Sequence, residues 1–329
     1  MIYEYAMSPR FLIELAGQTR IARALRREIG IGKACILAGY PESLGNIAYA
    51  ILASEESTET VPKKMARIQE KKNKVVQLAT DFVAGGKAQT KRYGTIKWEG
   101  GFAGEHSRAP FEGIFSVDDI SSPAGLPLRN MDWLDLEDCP FFSHPRSLDV
   151  KRTAQDYCDA LTPLLQSASS LTFVDPYFSP DDRYKRPYSL FFQKISSVNN
   201  VRAQNERREI LIVCARERVD YSFFYEDCLS KLPSVIPEGI TIRIHRIAHT
   251  EGGQDIHNRY ILSDIGGVIF GHGTDSSRNP RTETCDDILI LDQSPFVRWA
   301  KAYTPGSLSF DWTEPPIILS KHGEVVSDK

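Results

Sequence analysis

The sequence lacks several patterns that would assign it to a class at once. Its six cysteines form no C-x-x-C pair and show no cysteine–histidine spacing typical of a zinc site. No apolar run approaches the roughly 20 residues that a membrane-spanning helix requires. The N-terminus, MIYEYAMSPR, lacks the basic and then apolar order of a secretory signal. These absences predict a cytoplasmic protein with reduced cysteines, no structural metal and no membrane contact.

Neither sign of charge is in large excess. The chain of 329 residues has 40 Lys and Arg against 43 Asp and Glu, so its net charge is −3, and it is not built as a polyanion binder overall. One segment, 63–97, is locally basic, with only Glu70 and Asp81 opposing these residues: Lys63, Lys64, Arg67, Lys71, Lys72, Lys74, Lys87, Lys91, Arg92 and Lys97. Such a run is usually a solvated helix face, and the alternative is a surface that faces a polyanion.

The composition is that of a globular protein, and the length fits about two domains. The chain is 41% hydrophobic, which is ample for a buried core. We expect residues 1–145 to form a less defined α+β domain that binds substrate or a partner. In it, 9–30 has a helical period, 33–43 is typical of a strand that enters a turn, and 44–53 fits either a helix or a strand.

The second region, 146–329, alternates β-rich runs with amphipathic segments. Several runs are apolar on both faces, as strands of a covered sheet are. We expect an α/β domain whose mixed sheet is flanked by helices. The predicted strands are 171–178, 209–216, 240–247, 256–263, 267–273 and 287–292. The predicted helices are 189–198, 221–236 and 294–303.

The clearest chemical pattern is DIHNRYILSDIGGVIFGHGTDSSRNP, residues 255–280. Residues two apart in a strand share a face, so His257 and Arg259 should point the same way. The segment SDIGGV can form a tight hairpin, and we place Gly266 and Gly267 at its two central positions.

That turn sets the expected partners across the hairpin. It pairs Arg259 with Thr274 and His257 with Ser276, and it puts His272 on the same face. Two imidazoles, a guanidinium and hydroxyls on one patch indicate a phosphate site. A neutral imidazole can attack phosphorus when a carboxylate holds its tautomer, and fixed positive donors can stabilise the charge that develops without a metal or other cofactor.

A second carboxylate lies at the end of the first predicted strand of this domain, in VDPYF. Ligands of open α/β sheets gather at the carboxyl ends of strands, so Asp175 is a candidate for substrate binding, with Tyr177 beside it. The alternative, equally open, is that the Asp-Pro pair simply starts a turn.

The stretch HNRYILSD, followed by GHGTDSSRN, resembles the H-x-K-x4-D and later G-x-x-x-x-N signature of the phospholipase D superfamily. The resemblance covers the second half of the chain, and it implies a phospholipase D-like fold and a metal-independent phosphodiesterase. It implies that His257 is the nucleophile or its acid/base partner, and that Arg259 binds phosphate in the lysine position. It further implies that Asp264 is the motif aspartate and that Asn279 is a looser match to the later polar position.

This sequence departs from the pattern of that superfamily in two ways. Arginine replaces lysine, which keeps the charge but changes reach and geometry. Active members also bring two motifs together, whereas the other H-x-R here, in EHSRAPFEG (105–113), has glycine at the aspartate position and is rejected as a second motif. An active enzyme would need a symmetric homodimer, or it would use His272 or His249 of the same chain.

Two functions follow from these expectations. The first is a phospholipase D-like nuclease that acts on DNA or RNA through a histidine nucleophile, in a setting such as bacterial antiviral defence. The alternative is a catalytically degenerate module that binds phosphate groups of nucleic acid or another ligand as a subunit of a multi-protein complex. A lipid phosphodiesterase is a third, weaker hypothesis.

Overall fold

A computed structural model of the chain describes residues 1–83, 89–93, 95, 101–117, 128–129, 144–203, 208–216, 219–251, 253, 256–276 and 284–325. The chain divides into two compact units. One is Ile2–His144, and the other is Pro145–Lys329 together with Met1. The boundary expected from the sequence, after residue 145, lies one residue from this division.

The described strands of the N-terminal unit pair in parallel in the order β2–β1–β3–β4. They are β1 (Tyr3–Met7), β2 (Cys35–Leu37), β3 (Gly113–Phe115) and β4 (Leu128–Arg129). The helices are α1 (Pro9–Ala16), α2 (Thr19–Glu28), α3 (Leu44–Thr58), α4 (Pro62–Val83) and α5 (Gly101–Arg108). The segment 44–53, which fitted either a helix or a strand, is therefore helical.

The basic segment belongs largely to α4, which is a surface helix with a buried apolar side. Val75, Leu78 and Phe82 are buried, as the 3.6-residue period of an amphipathic helix requires. Several of its lysines form ion pairs with glutamates: Lys64 with Glu59, Lys71 with Glu14, Lys72 with Glu56 and Lys74 with Glu70. This helix has the solvated, charge-compensated face that is usual for such runs.

A buried ionic network links the sheet of the N-terminal unit to α5. The Arg92 side chain is 0% exposed and donates hydrogen bonds to Glu4 (2.6 and 3.0 Å), to Glu105 (3.0 Å) and to the carbonyl of Ala109 (3.1 Å). Arg108 also donates to Glu105. The stretch 105–113, rejected as a second motif, thus begins on a helix and supplies structural ion pairs rather than a strand-borne site.

The C-terminal unit has a nine-stranded mixed sheet in the order β13–β12–β8–β7–β6–β9–β10–β11–β5. Its strands are β5 (Ser147–Lys151), β6 (Leu171–Val174), β7 (Arg208–Ala215), β8 (Ile240–Ile247), β9 (Arg259–Ser263), β10 (Gly266–Phe270), β11 (Cys285–Ile290), β12 (Ile317–Ser320) and β13 (Gly323–Glu324). The expected α/β fold with a mixed sheet flanked by helices is confirmed.

Helices of the C-terminal unit pack on both faces of this sheet. They are α6 (Ala154–Ser167), α7 (Asp182–Ser196), α8 (Asn199–Arg202), α9 (Tyr221–Lys231) and α10 (Gln293–Ala302). Phe173 contacts α7 through Tyr188 and Phe191, whereas Tyr260 on β9 contacts α10 through Trp299. Among the helices that the structure describes, none is long and apolar enough to cross a membrane.

Strand direction brings several strand ends to one edge of the sheet. β6, β7 and β8 are mutually parallel, and β9, β10, β11 and β5 then alternate in direction. The last residues of β5, β6 and β10 therefore lie at the same edge as the first residues of β9 and β11. We call it the carboxyl edge, after the ends of the three parallel strands.

The β9–β10 hairpin forms with a different register from the one expected. Its central turn residues are Asp264 and Ile265, because Ser263 pairs with Gly266 and Arg259 pairs with Phe270. The predicted pairing of Arg259 with Thr274 and of His257 with Ser276 is therefore wrong.

Gly267, one of the two glycines that suggested the turn, is required for close packing within β10. A Cβ on Gly267 would lie 2.9 Å from a methyl carbon of Leu262 and 3.2 Å from the ring of Phe296. Close packing inside the strand excludes a side chain there. The turn itself is tied by Ser263, whose hydroxyl donates to the Gly266 carbonyl at 2.7 Å.

Candidate active site at the carboxyl edge

Five neighbouring strands supply polar groups to the carboxyl edge of the C-terminal unit. Arg152 follows β5, Asp286 is the second residue of β11, and Asp175 follows β6. Arg259 begins β9, and the loop 271–276 follows β10. We refer to the following residues as the carboxyl-edge site: Arg152, Asp175, His257, Arg259, His272, Gly273, Thr274, Asp275 and Asp286.

Arg259 has a guanidinium that is held in place but not hydrogen-bonded. Its central carbon lies 4.5 Å from the ring centroid of Tyr177, a distance typical of a cation–π contact. Its Nε is buried without a hydrogen-bond partner, and no described residue accepts a hydrogen bond from the rest of the group. A planar, permanently charged donor that is oriented and unused is suited to an oxyanion.

Asp175 ties the end of β6 to the loop after β10. It is fully buried and accepts hydrogen bonds from the backbone N–H of Thr274 (3.0 Å), from its hydroxyl (2.9 Å) and from the N–H of Tyr177 (2.9 Å). Burial raises the pKa of the Asp175 carboxyl, although these donors and the charge of Arg259 oppose the shift. Asp175 therefore fixes the loop after β10 to the end of β6, and its carboxylate has little remaining capacity to accept hydrogen bonds from a substrate.

Gly273 allows the loop to approach that carboxylate. Its φ is +139°, which favours glycine. A Cβ there would lie 3.2 Å from an oxygen of Asp175, 3.2 Å from an oxygen of Asp275 and 3.7 Å from the Nε of Arg259. The loop thus packs its backbone against both carboxylates and beside the guanidinium.

Two further arginines converge on Asp275, which the analysis of the sequence did not single out. Arg152 donates to its carboxylate at 2.8 Å, and a nitrogen of Arg183 lies 3.6 Å from the other oxygen. Asp275 is 8% exposed. Arg152 and Arg183 therefore share the carboxylate of Asp275, and Arg259 is the one of the three arginines with no ion pair among the described residues.

His272 is paired with a buried carboxylate. Its ring Nδ1 lies 3.3 Å from an oxygen of Asp286, and its backbone N–H donates to the same oxygen at 2.8 Å. The Asp286 side chain is 0% exposed, whereas that of His272 is 63% exposed. The other oxygen of Asp286 accepts a hydrogen bond from Tyr157 at 3.0 Å. This is the carboxylate–imidazole arrangement that fixes one tautomer of a histidine.

His257 lies two residues before β9, beyond the end of the ladder, and it is exposed. Among the described residues, none forms a hydrogen bond with its ring. The imidazole is therefore open to solvent at the same edge as Arg259 and is not sealed inside the apolar core.

Two other predicted site residues lie elsewhere or face away. Asp264 is in the turn at the opposite end of β9, roughly 16 Å along the strand from Arg259. There it accepts hydrogen bonds from the backbone N–H groups of Ser169 (2.8 Å) and Ser170 (3.1 Å). Ser276 does not face His257, because its hydroxyl donates to the carbonyl of Arg183 at 3.0 Å. The expected placement of Asp264 and Ser276 beside His257 is corrected.

The remaining predicted residues have mixed outcomes. Thr274 is at the site, but its hydroxyl faces inward between Asp175 and Tyr188. Asn279 lies outside the described residues. Sequence reasoning missed Arg152, Asp286 and Tyr157. The only local signal was the pair Asp286 and Asp287 before the apolar residues 288–291. Alternation along the strand turns Asp286 inward.

The chain matches no family model and no curated protein sequence. The carboxyl-edge site is therefore the basis for any chemistry assigned to the chain. Within the described ranges, no three His, Cys, Asp or Glu side chains are grouped so that they could hold a metal ion. What the site offers is two exposed imidazoles, one of them paired with a carboxylate, and a guanidinium with no ion pair among the described residues.

Proposed function

We propose that the protein is a phospholipase D-like, metal-independent phosphodiesterase that cleaves DNA or RNA. The observation that carries the proposal is the Arg259 guanidinium, stacked on Tyr177 and without a hydrogen-bond partner in the described part of the chain, beside exposed His257 and His272. A preplaced, unused double donor next to imidazoles is what phosphoryl transfer requires.

The chemistry would use His257 as the nucleophile. A neutral imidazole nitrogen attacks phosphorus and forms a P–N bond while the bond to one ester oxygen breaks. Arg259 would bind the two non-bridging oxygens through its fork of N–H donors, and so stabilise the charge that they gain in the transition state. Water would then cleave the P–N bond.

The choice of a nucleic acid as the substrate rests on basic side chains close to the site. An open hollow of about 500 Å³ lies between the first turns of α6 and α7 and is lined in part by Lys185 and Arg186. Ala154 and Asp182, also in its lining, come two residues after Arg152 and one before Arg183. These positions set the hollow close to the arginine cluster. Its lining is mostly apolar and Lys185 is paired with Asp182 at 3.1 Å, so the hollow adds only part of the positive charge that a chain of phosphates attracts.

The alternative is a phosphate-binding module without turnover, and one observation favours it. Arginine occupies the position of the motif lysine and is immobilised on Tyr177, so it has less freedom than a lysine to follow a moving phosphoryl group. In that case the site would bind nucleic acid or another phosphate group within a larger complex. Membership in a homodimer, and a setting in antiviral defence, remain predictions.

The decisive experiment measures cleavage of labelled single- and double-stranded DNA and RNA in the presence of EDTA. We expect the wild type to cut at least one of these, and His257→Ala to lose turnover while retaining salt-sensitive binding. The matched control is His322→Ala, because His322 is an exposed histidine in the turn between the edge strands β12 and β13.

Each result separates the two functions. Binding by the wild type without cleavage of any of these substrates would replace the enzyme with the binding module. Cleavage that survives His257→Ala would remove the nucleophile from the mechanism. Phosphatidylcholine vesicles, tested in parallel, would reveal a lipid phosphodiesterase if they alone were hydrolysed.

A further inference from the structure

Asp286, the carboxylate paired with His272, lies outside the sequence motif. Asp286 is 2% exposed on the inward side of β11, and its described partners in hydrogen-bond reach include the ring of an exposed histidine. A buried carboxylate is costly unless it is well satisfied. Here backbone N–H donors and Tyr157 satisfy it, and one oxygen is directed at the imidazole.

The carboxylate of Asp286 is rigid on its inner side. Tyr157, from α6, is fully buried and donates its hydroxyl hydrogen at 3.0 Å. Burial raises the pKa of Tyr157, and the charge of Asp286 adds to that shift, so the hydroxyl remains a donor. The N–H of Gly273 is 3.4 Å from the same oxygen. Among the described hydrogen-bond partners of the Asp286 carboxylate, the His272 ring is the exposed one.

The register of the hairpin relates this histidine to the nucleophile. The ladder ends where Arg259 pairs with Phe270, and the same register carried two positions further would set His257 opposite His272. Directly opposite residues of an antiparallel pair lie on the same face, with Cβ atoms about 5 Å apart. In that register both imidazoles would lie on the face that carries Arg259.

On the basis of the proposed phosphodiesterase activity, we propose that Asp286 orients His272 as the proton donor and acceptor of the reaction, within the same chain as His257. His272 would occupy the place of the histidine that a second motif would otherwise supply. Asp286 is then a positioning residue, since it acts through His272 and does not touch the substrate.

The steps balance in protons and bonds. As the His257 nitrogen bonds to phosphorus, the leaving ester oxygen takes a proton from the His272 imidazolium and departs as an alcohol. The neutral His272 next removes a proton from water, whose oxygen attacks phosphorus while the P–N bond breaks. Asp286 stabilises the imidazolium before the first step and after the second.

The first test compares two neighbouring aspartates of β11. Asp286→Asn keeps an acceptor for the His272 backbone but removes the charge, and we expect kcat to fall about 100-fold or more while KM changes little. Asp287→Asn is the control, because Asp287 is exposed on the other side of the strand. Equal kcat in the two variants would overturn the proposal.

The second test does not depend on activity. The ¹⁵N shifts of the His272 ring, assigned against His272→Ala, report which nitrogen carries the proton in the neutral form. We expect the Nδ1–H tautomer in the wild type and its loss in Asp286→Ala. An Nε2–H tautomer in the wild type would disprove orientation by Asp286. An inactive wild type that shows the Nδ1–H tautomer would instead remove the proposed function and leave the orientation standing.

The third test asks whether both histidines act from one chain. We expect no activity when His257→Ala and His272→Ala chains are co-expressed and purified together, because neither chain then has both groups. Recovered cleavage would show that the histidines meet across two copies, and it would overturn the assignment to a single chain.

Discussion

Two arginines, one in each unit of the molecule, are placed on aromatic rings in the same way and differ in everything else. Arg92 lies 4.0 Å from the ring centroid of Phe111, and Arg259 lies 4.5 Å from that of Tyr177. Arg92 is surrounded by Glu4, Glu105 and a backbone carbonyl, all within 3.1 Å. Arg259 has no such acceptor among the described residues.

The difference separates an arginine that stabilises the fold from one whose guanidinium has no hydrogen-bond acceptor among the described residues. A buried guanidinium with all its donors occupied has no capacity for a ligand, and its removal takes a cation from two buried carboxylates. A guanidinium without such acceptors contributes less to the fold and keeps its donors for a ligand. The hydrogen-bond partners therefore distinguish the two arginines, whereas the ring contacts do not.

The largest effect should come from the satisfied arginine. Arg92→Met removes the arginine that pairs with both Glu4 and Glu105, of which Glu105 keeps Arg108, so we expect the free energy of unfolding to fall by about 4 kcal/mol. Urea unfolding monitored by circular dichroism measures it. Arg259→Met is the matched variant, expected to cost under about 1 kcal/mol. Equal losses in the two variants would erase the distinction between the arginines.

The next effect concerns turnover. If Arg259 binds the phosphate, Arg259→Ala should lower kcat/KM about 100-fold, or about 2.7 kcal/mol of transition-state stabilisation, while the unfolding midpoint stays near that of the wild type. Steady-state cleavage of the best oligonucleotide substrate measures it. Arg243→Ala, on β8 and paired with Glu209, is the control arginine. A loss in both variants would indicate general attraction for the polyanion and no specific role.

A smaller effect should follow the conservative change at the same position. Arg259→Lys retains the charge and introduces the residue of the resembled motif, so we expect kcat/KM to stay within about 10-fold of the wild type. The ratio of kcat/KM for the lysine and alanine variants, measured on one substrate, gives the contribution of the positive charge alone. A lysine variant as poor as the alanine variant would mean that stacking on Tyr177 or bidentate binding is essential.

The smallest effect should be that of Asp264, which belongs with Arg92 on the structural side. Asp264→Ala removes the acceptor for the N–H groups of Ser169 and Ser170, and it should lower the free energy of unfolding by about 1 kcal/mol with kcat unchanged. Parallel urea unfolding and cleavage assays check this. A large drop in kcat with unchanged stability would restore Asp264 to the catalytic role implied by the motif.

The sequence predicted the central strands well because β-branched residues dominate them, and it placed Asp175 at the end of a strand. It placed Arg259 inside the predicted strand 256–263, whereas this residue begins β9. It could not settle the hairpin register, since Gly266 and Gly267 suit a turn but Gly267 is required by packing against Leu262 and Phe296. The contact of Tyr157 with Asp286 spans 129 residues of chain. Nothing local indicates such a contact, so the support for His272 appears only in the fold.

The order of strands in the C-terminal sheet has a consequence for biosynthesis. β9 inserts beside β6, so that Leu171 meets Ser263, and the carboxylate behind His272 comes later still in β11. Such long-range pairing is slow and cannot precede translation of its second strand. A ribosome-bound chain would therefore lack the complete carboxyl-edge site until nearly the whole unit has emerged. If the proposed nuclease activity is present, this delay protects the messenger and the ribosome during synthesis.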